Sequence, residues 1–303
     1  MKADVLIAGA GGQLGRQLAA RAAAAGLSTR PLARGDLDVT DRHAVLDAVE
    51  ATAPRVVLNA AACTAVDRAE SEPEAAHAVN RDGAAHLAEA AARLGAALVH
   101  VSTDYVFDGS KPGAWTEDDP TAPLGVYGAS KLAGEEAVRA RMAEHVILRT
   151  AWVYDRSGRN FLTTMLRVGA ERECLRVVDD QHGTPTWAAD LAGAMLTLAR
   201  RFMDGAMPPD GTGTFHCTNA GSTTWCGFAR AIFELAAPQL DRVPTVEAIA
   251  TADYPTPARR PANSVLDCTR LERVHGLRLR GWEEALREAL AAPAGQQQDR
   301  ARA

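Results

Sequence analysis

The chain has 303 residues, of which 47% are hydrophobic and 23% charged, and these values predict a large globular core in one domain or two intimate ones. The formal net charge of −5 at pH 7 argues against a nucleic-acid-binding protein, which normally carries a basic face. The first apolar run is too short to span a membrane and meets glycines at once.

Cysteine and histidine patterns exclude further classes. The five cysteines are scattered without a CxxC pair, and the eight histidines form no HxxxH motif or Cys/His cluster. We therefore expect reduced thiols, no metal site and a cytoplasmic location. A GxSxG elbow is also missing, which disfavours a serine hydrolase.

The first half alternates β-rich runs with alanine-rich helical stretches. The predicted strands are DVLIAGA, STRPLAR, RVVLNAAA, ALVHVSTDYVF and HVILRTAWVY. The predicted helices are QLGRQLAARAAAAG, DRHAVLDAVEATAP, EPEAAHAVNRDGAAHLAEAAARLG and a segment from Ser130 to about Arg141. This alternation predicts an α/β fold, a Rossmann-type doubly wound parallel sheet, over residues 1–150.

After Trp152 the regular alternation fades. A helix within residues 186–205 is expected to pack on the main sheet. Residues 151–185 and 206–290 are predicted to form a smaller, interleaved α/β lobe that binds the substrate. Residues 291–303 are predicted to be a disordered tail.

Three glycines, Gly9, Gly12 and Gly15, follow the first strand and open the first helix. Glycines there permit a tight turn and the close approach of a pyrophosphate, which the helix N-terminus attracts. The spacing is GxxGxxG, because Leu14 stands where the third glycine of GxGxxG would fall. Placed after the first strand of an alternating pattern, the turn indicates a dinucleotide site.

A tyrosine and a lysine, Tyr127 and Lys131, lie four residues apart in VYGASKLAGEE. Residues at this spacing share one helix face in many proteins. The spacing alone therefore leaves an ordinary surface pair and a catalytic pair both open.

Several motifs together resemble the extended short-chain dehydrogenase/reductase superfamily. They are the glycine spacing, STDYVF (102–107) and YGASK (127–131). Further segments narrow the resemblance to the dTDP-4-dehydrorhamnose reductase family: NAAACTAVDRAESEPEAAHAVN, STDYVFDG, VYGASKLAGE, LRTAWVY, DDQHGTPT and YPTPARRPANS. The resemblance runs from Met1 to about Gly281.

The resemblance implies a set of catalytic roles. Tyr127 would donate a proton to the substrate's keto oxygen as hydride arrives at the carbonyl carbon. Lys131 would lower the pKa of this phenol from about 10 and would hold the nicotinamide ribose. Thr103 would hydrogen-bond the same oxygen as negative charge develops on it, and Asp104 would help to hold the sugar.

The resemblance also implies a nicotinamide cofactor, NADPH or else NADH. Arg34 could bind the 2′-phosphate of NADPH, since Ala33 stands where relatives can carry an aspartate, whereas Asp36 would favour NADH if it reached the ribose. Apart from Tyr127 and Lys131, the predicted cofactor contacts are Gly9, Gly12, Gln13, Leu14, Arg34, Asp38, Val39, Ala62, Cys63 and Thr64.

Three more residues would complete the substrate site with Thr103, Asp104 and Tyr127. Trp152 would line the sugar, and Arg260 and Asn263 would close over the nucleotide diphosphate and sugar. Asn80 is given a structural role. Some members of the family form a metal-linked dimer through glutamates that have no clear counterpart here, so magnesium is not predicted, and a monomer and a homodimer both stay open.

The predicted reaction is reduction of the 4-keto group of dTDP-4-dehydro-L-rhamnose to give dTDP-L-rhamnose, the last step in making that sugar donor. Nucleotide-sugar dehydratases follow the threonine with two carboxylates, whereas here Tyr105 follows Asp104, which disfavours elimination. Two alternatives stay open. One is a reductase or epimerase of another nucleotide-linked 4-keto-6-deoxysugar, and the other is a non-catalytic, dinucleotide-binding regulatory subunit.

Overall fold

The structure, a computed structural model, describes residues 2–292. Its strands are β1 (Val5–Ala8), β2 (Thr29–Leu32), β3 (Val56–Asn59), β4 (Ala97–Thr103), β5 (His145–Thr150), β6 (Val153–Tyr154), β7 (Cys174–Val178), β8 (His182–Gly183), β9 (Thr186–Trp187), β10 (Gly213–His216), β11 (Thr223–Thr224) and β12 (Thr245–Ile249). Its α-helices are α1 (Gln13–Ala24), α2 (Arg42–Thr52), α3 (Val66–Ser71), α4 (Pro73–His77), α5 (Gly83–Leu94), α6 (Val126–Arg139), α7 (Phe161–Glu171), α8 (Ala188–Asp204), α9 (Trp225–Ala236), α10 (Thr269–His275) and α11 (Trp282–Ala291).

A six-stranded parallel sheet forms the centre of the molecule, in the order β10-β5-β4-β3-β1-β2. The inner strands β1, β3 and β5 are buried along their whole length, as expected for strands covered on both faces. Strand β2 lies at the edge, where Pro31 is tolerated because its missing N–H faces no neighbouring strand. The strand order reverses between β1 and β3, and in such sheets a ligand cleft opens at the carboxyl ends of the strands there.

Helices cover both faces of this sheet. On one face α1 and α8 contribute Leu18 and Met195 to a core that also holds Val5 of β1. On the other face α2 and α5 contribute Val49 and Leu87. The predicted doubly wound α/β fold is confirmed.

A smaller lobe is built around α7, α9 and α11. Its core surrounds Phe228 and Trp282, and the parallel pair β7–β12 packs against α9. The predicted domain boundary differs from the structure at β10. This strand falls within the range 206–290 assigned to the lobe, yet it pairs with β5 at the edge of the main sheet. Its short sequence, GTFH, carries no sign of which strand it joins. Of the predicted tail, Ala291 ends α11, and residues 293–303 lie outside the described range.

Two helices near the cleft also differ from the prediction. Helix α6 begins at Val126 and not at Ser130, so that Tyr127 and Lys131 occupy its first two turns. The long helix predicted from Glu72 is divided into α4 and α5 by a π-helical turn, Ala78–Asp82. Such turns often occur at functional sites, and this one carries Asn80.

Candidate active site

The glycine-rich loop forms a close-packed turn between β1 and α1. Gly12 N donates to Gly9 O at 3.0 Å, and Gly9 has a φ of 79°, which favours glycine. A Cβ on Gly15 would lie 2.1 Å from Gly9 O, so only glycine fits there. Helix α1 has no acidic residue in its first turn, and its free N–H groups therefore suit an anionic group such as a pyrophosphate.

Two adjoining cavities of about 330 Å³ each lie along the carboxyl ends of the central strands. Gly12, Ala60, Ala61 and Ala62 border both of them. The first cavity is bordered by predicted cofactor residues Gly9, Arg34, Asp38, Val39 and Cys63. The second is bordered by predicted cofactor and substrate residues Gln13, Leu14, Thr64, Thr103, Asp104, Tyr127, Lys131 and Trp152. A paired cavity of this form fits a dinucleotide in which two nucleosides flank a diphosphate.

Asn80 supports the cavity wall from behind. Its Oδ1 accepts from Cys63 N at 2.8 Å, and its Nδ2 donates to Ser130 Oγ at 2.9 Å. The amide thus ties the loop after β3 to helix α6. The predicted structural role of Asn80 agrees with these contacts.

Tyr127 and Thr103 meet in the second cavity. Gly128 allows α6 to approach, because a Cβ there would lie 2.1 Å from Tyr105 O. The ring of Tyr127 then packs edge-on against Tyr105, with centroids 5.5 Å apart. Burial raises the pKa of Tyr127 to about 12, while hydrogen bonding with Thr103 acts to lower it.

Lys131 points beneath the cavity floor toward strand β4. Its Nζ donates to Val101 O at 2.6 Å and lies 3.5 Å from His100 Nε2. Burial lowers the pKa of Lys131 to about 8. The expected lowering of the Tyr127 pKa by this ammonium is not seen, since burial dominates the phenol and the ammonium is turned toward the Val101 carbonyl.

A buried chain of hydrogen bonds stands behind Lys131. Ala61 N donates to Asn59 Oδ1 at 3.0 Å, which fixes the orientation of the amide, and Asn59 Nδ2 then faces His100 Nδ1 at 2.9 Å. The His100 ring therefore accepts at Nδ1 and carries its proton on Nε2, toward Lys131. Burial, followed by the Lys131 charge, holds the pKa of His100 well below its ordinary value.

Asp104 presents a carboxylate to the cavity. Its Oδ1 accepts from Thr103 Oγ1 at 2.8 Å, whereas its buried Oδ2 has no hydrogen-bond partner within residues 2–292. Burial raises the pKa of this carboxyl to about 6. An unpaired buried acceptor beside a cavity is suited to a hydroxyl donor from a ligand.

Two predicted substrate residues lie outside the borders of these cavities. Arg260 Nη2 pairs with Asp67 Oδ2 of α3 at 2.8 Å, which fastens the proline-rich loop to the main domain. Asn263 is engaged with backbone groups, and its contact with the substrate stays a prediction. Its Nδ2 donates to the carbonyls of Lys111 and Gly113 at 2.8 Å each, and its Oδ1 accepts from Val265 N at 3.2 Å, so its amide ties the proline-rich loop to the segment that holds Lys111 and Gly113.

Sequence reasoning missed Trp225, which also borders the second cavity. Its ring stacks on Trp152, with centroids 3.6 Å apart and planes 9° apart. A single tryptophan at the start of a distant helix gives no signal in the sequence. His100 was missed for a similar reason, because a buried histidine in an apolar strand resembles an ordinary core residue.

Residues 2–292 contain no group of three His, Cys, Asp or Glu side chains that could hold a metal ion. Over the same range, every helix is too short or too polar to cross a membrane. All five cysteines lie in this range and are free thiols.

The fold and the site define a class: an oxidoreductase of the extended short-chain dehydrogenase/reductase type, with a dinucleotide loop beside a Thr–Tyr–Lys group. Comparison with known proteins gives the family. The sequence model of one protein family, the RmlD substrate binding domain, matches residues 1–294. A dTDP-4-dehydrorhamnose reductase of Sinorhizobium fredii is 48% identical over 86% of this chain and 88% of that protein. Another, from Aggregatibacter actinomycetemcomitans, is 44% identical over 95% and 99%.

A solved structure agrees with these sequence matches. The Bacillus anthracis dTDP-4-dehydrorhamnose reductase in complex with NADP aligns with a TM-score of 0.89 and 37% identity, covering 96% of this chain and 99% of that one. The chain belongs to the dTDP-4-dehydrorhamnose reductase family.

Proposed function

We propose that the protein reduces the 4-keto group of dTDP-4-dehydro-L-rhamnose to give dTDP-L-rhamnose, with NADPH as the reductant. The observation that carries the proposal is the meeting of Thr103, Tyr127 and Lys131 in a cavity that adjoins the glycine-rich loop. Relatives that cover nearly the whole chain bear the name of this activity, which supports the same assignment.

Tyr127 is the proton donor in this proposal. Its O–H bond breaks as a new O–H bond forms on the sugar's former keto oxygen. A phenol with a pKa raised to about 12 holds its proton at neutral pH, so it is in the donating form when substrate arrives. Thr103 stabilises the negative charge that develops on the same oxygen.

Lys131 acts from beneath the tyrosine. It borders the same cavity as the phenol, and its pKa near 8 lets it gain and lose a proton near neutral pH. The Val101 carbonyl, which accepts from Nζ at 2.6 Å, fixes the position of this ammonium.

The two cavities suit NADPH, which supplies a hydride when it is bound. The N-terminus of α1 and the glycine loop would take the pyrophosphate. Arg34 would take the 2′-phosphate beside the first cavity, and Lys131 would hold the nicotinamide ribose.

The sugar nucleotide would be held by groups around the second cavity. The free Oδ2 of Asp104 would accept from a sugar hydroxyl, and the Trp152 indole would cover an apolar face of the deoxysugar. Arg260 would reach the diphosphate by exchanging its contact with Asp67.

Dehydration is disfavoured at this site. Tyr105 occupies the place of the second carboxylate that dehydratases use, and burial raises its pKa, so it is a poor base at neutral pH. A non-catalytic regulatory subunit is disfavoured because Thr103, Tyr127 and Lys131 are all present and converge. An epimerase, or a reductase of a related keto-deoxysugar, is separated by the experiment below.

The test supplies purified protein with NADPH and enzymatically generated dTDP-4-keto-6-deoxyglucose, with and without a 3,5-epimerase, and identifies the product by NMR. We expect NADPH consumption equal to the keto sugar consumed, and dTDP-L-rhamnose only when the epimerase is present. A second arm supplies dTDP-glucose alone. A 4-keto product without net NADPH use would contradict the proposal and indicate a dehydratase.

A further inference from the structure

The backbone of Trp152 adopts an unusual conformation beside the second cavity. Its φ is +46°, in the left-handed region that bulky side chains rarely enter. Such a conformation persists only when the surroundings impose it, and it is often associated with function. The groups that impose it here can be identified.

One of them is Trp225, the first residue of α9. The two indoles stack with centroids 3.6 Å apart and planes 9° apart. The start of α9 is itself fixed, because Thr224 caps the helix by accepting from Gly227 N at 2.9 Å. The Thr224 hydroxyl also donates to Asp179 Oδ1, which anchors the cap to the loop after β7.

The second group is Gly183, whose missing side chain makes room for the indole. A Cβ at Gly183 would lie 2.3 Å from Trp152 Cε2 and 2.6 Å from Nε1. Gly183 belongs to β8, which pairs with β11, and β11 runs directly into Trp225. Both contacts on the indole therefore come from one connected unit of the lobe.

We propose that Trp225 and Gly183 form a clamp that positions Trp152 as the wall of the sugar-binding cavity. The inference deepens the proposed function and rests on it. Without the stack, Trp152 can return to an ordinary negative φ, and its indole leaves the wall or enters the space meant for the sugar. Trp225 is thus a positioning residue that acts on the sugar through Trp152.

A spectroscopic test detects the stacked indoles of the clamp and needs no activity assay. Two stacked indoles give an exciton couplet in the far-ultraviolet circular dichroism spectrum. We expect the couplet to be lost in Trp225→Ala and Gly183→Ala and to be kept in Gly193→Ala. Gly193 is a matched control, because it lies in α8 and a Cβ there would meet nothing within 4 Å. A couplet that survives in Gly183→Ala would overturn the clamp.

Binding measurements test whether the clamp contributes to sugar binding. Calorimetry with dTDP and with dTDP-L-rhamnose isolates the contribution of the sugar. We expect Trp225→Ala to weaken the binding of dTDP-L-rhamnose about 3- to 10-fold and to raise the KM for the keto sugar by a similar factor. The binding of dTDP and of NADPH should stay unchanged. Trp225→Phe, which keeps an aromatic ring, should restore most of the loss.

A double variant separates positioning from direct contact or damage to the fold. If Trp225 acts through Trp152, Trp225→Ala adds no further loss in a Trp152→Ala background. An equal loss in both backgrounds would overturn the proposal, as would weaker NADPH binding. If the wild type binds no sugar nucleotide, the proposed function fails, and the couplet alone decides the clamp: its loss in Gly183→Ala supports it, and its retention overturns it.

Discussion

Tyr127 is the proton donor in this account. Replacing its phenol by a phenyl ring, which lacks one oxygen atom, tests this role. Tyr127→Phe keeps the ring that packs on Tyr105 and removes only the hydroxyl group that carries the proton. We expect kcat to fall by about 10²-fold or more, with NADPH affinity and thermal stability unchanged. Single-turnover kinetics, cofactor titration and thermal denaturation measure these three quantities.

Lys131→Ala is the contrasting variant, because it should impair NADPH affinity and turnover together. A phenylalanine variant that reduced the keto sugar at a rate near that of the wild type would contradict the assignment of Tyr127 as proton donor.

The buried carboxyl of Asp104 should make the free energy of unfolding depend on pH. Burial raises its pKa from 3.8 to about 6, so the folded state disfavours its charged form. Below about pH 4 the carboxyl is protonated in both the folded and the unfolded chain and costs nothing. Between about pH 4 and 6 the unfolded chain loses this proton while the folded protein keeps it, so the free energy of unfolding falls by at most about 3 kcal/mol, about two pH units at 1.4 kcal/mol each. Above pH 6 the folded protein holds the buried charge and the loss is complete.

Asp104→Asn removes this charge and keeps the shape. We expect the variant to exceed the wild type in unfolding free energy by about 2–3 kcal/mol at pH 8 and to equal it near pH 4, as measured by urea denaturation. Asp47→Asn, an exposed position on α2, is the control and should show no such difference. A gap between Asp104→Asn and wild type that stays constant with pH would contradict the explanation.

We expect Arg34 to decide the preference for NADPH over NADH. It borders the first cavity, whereas the competing carboxylate of Asp36 accepts from Ala33 N at 2.9 Å and is engaged within its own turn. A charge-assisted contact of about 1.5–3 kcal/mol would favour NADPH by roughly 10- to 150-fold. Arg34→Ala should lose this preference and keep its efficiency with NADH.

Measuring kcat/KM with both cofactors tests the prediction. Arg30→Ala, an exposed position on β2, is the matched control and should behave like wild type. Equal values for the two cofactors in wild type, or a loss in Arg34→Ala shared by both cofactors, would refute it.

At the scale of elements, the contact between the proline-rich loop and α3 links the two lobes. Arg260 and Asp67 are partly exposed, and such pairs contribute at most about 1 kcal/mol to stability. We therefore propose that the main role of Arg260 is to bind the sugar nucleotide and not to stabilise the fold. Arg260→Ala should raise its KM about 10- to 150-fold and leave the NADPH Kd unchanged.

Asp67→Asn is the informative partner variant, because it breaks the ion pair and keeps the guanidinium. We expect its KM for the sugar nucleotide to stay within about threefold of wild type or to fall, since Arg260 no longer has to leave a carboxylate. If Asp67→Asn raised KM as much as Arg260→Ala, the pair would serve to anchor the loop, and the phosphate role of Arg260 would be wrong.

At the scale of the whole molecule, the main sheet was predictable because its strands are short apolar runs separated by periodic helices. The glycine loop was predictable for a related reason, since its constraints lie within seven adjacent residues, Gly9 to Gly15. Strand β10 could not be placed from sequence, because its membership depends on contact with β5, more than sixty positions earlier.

The same distinction holds within the site. Tyr127 and Lys131 share a motif, and the cavity residues predicted from the family resemblance do border the two cavities. Trp225 and Gly183 meet Trp152 only after the lobe has folded, so no local pattern indicates them. The partners of Asn263 could not be predicted from the sequence, because its amide donates to a segment about 150 positions earlier in the chain.

The most direct test of the central claim follows one hydrogen atom. The protein is supplied with NADPH deuterated at C4 in the transferable position, and with the epimerised keto sugar, and the sugar product is examined by NMR. The account predicts one deuterium at C4 of the rhamnose for each NADPH oxidised, with transfer slowed about 10²-fold in Tyr127→Phe. A product without deuterium at that carbon would contradict it.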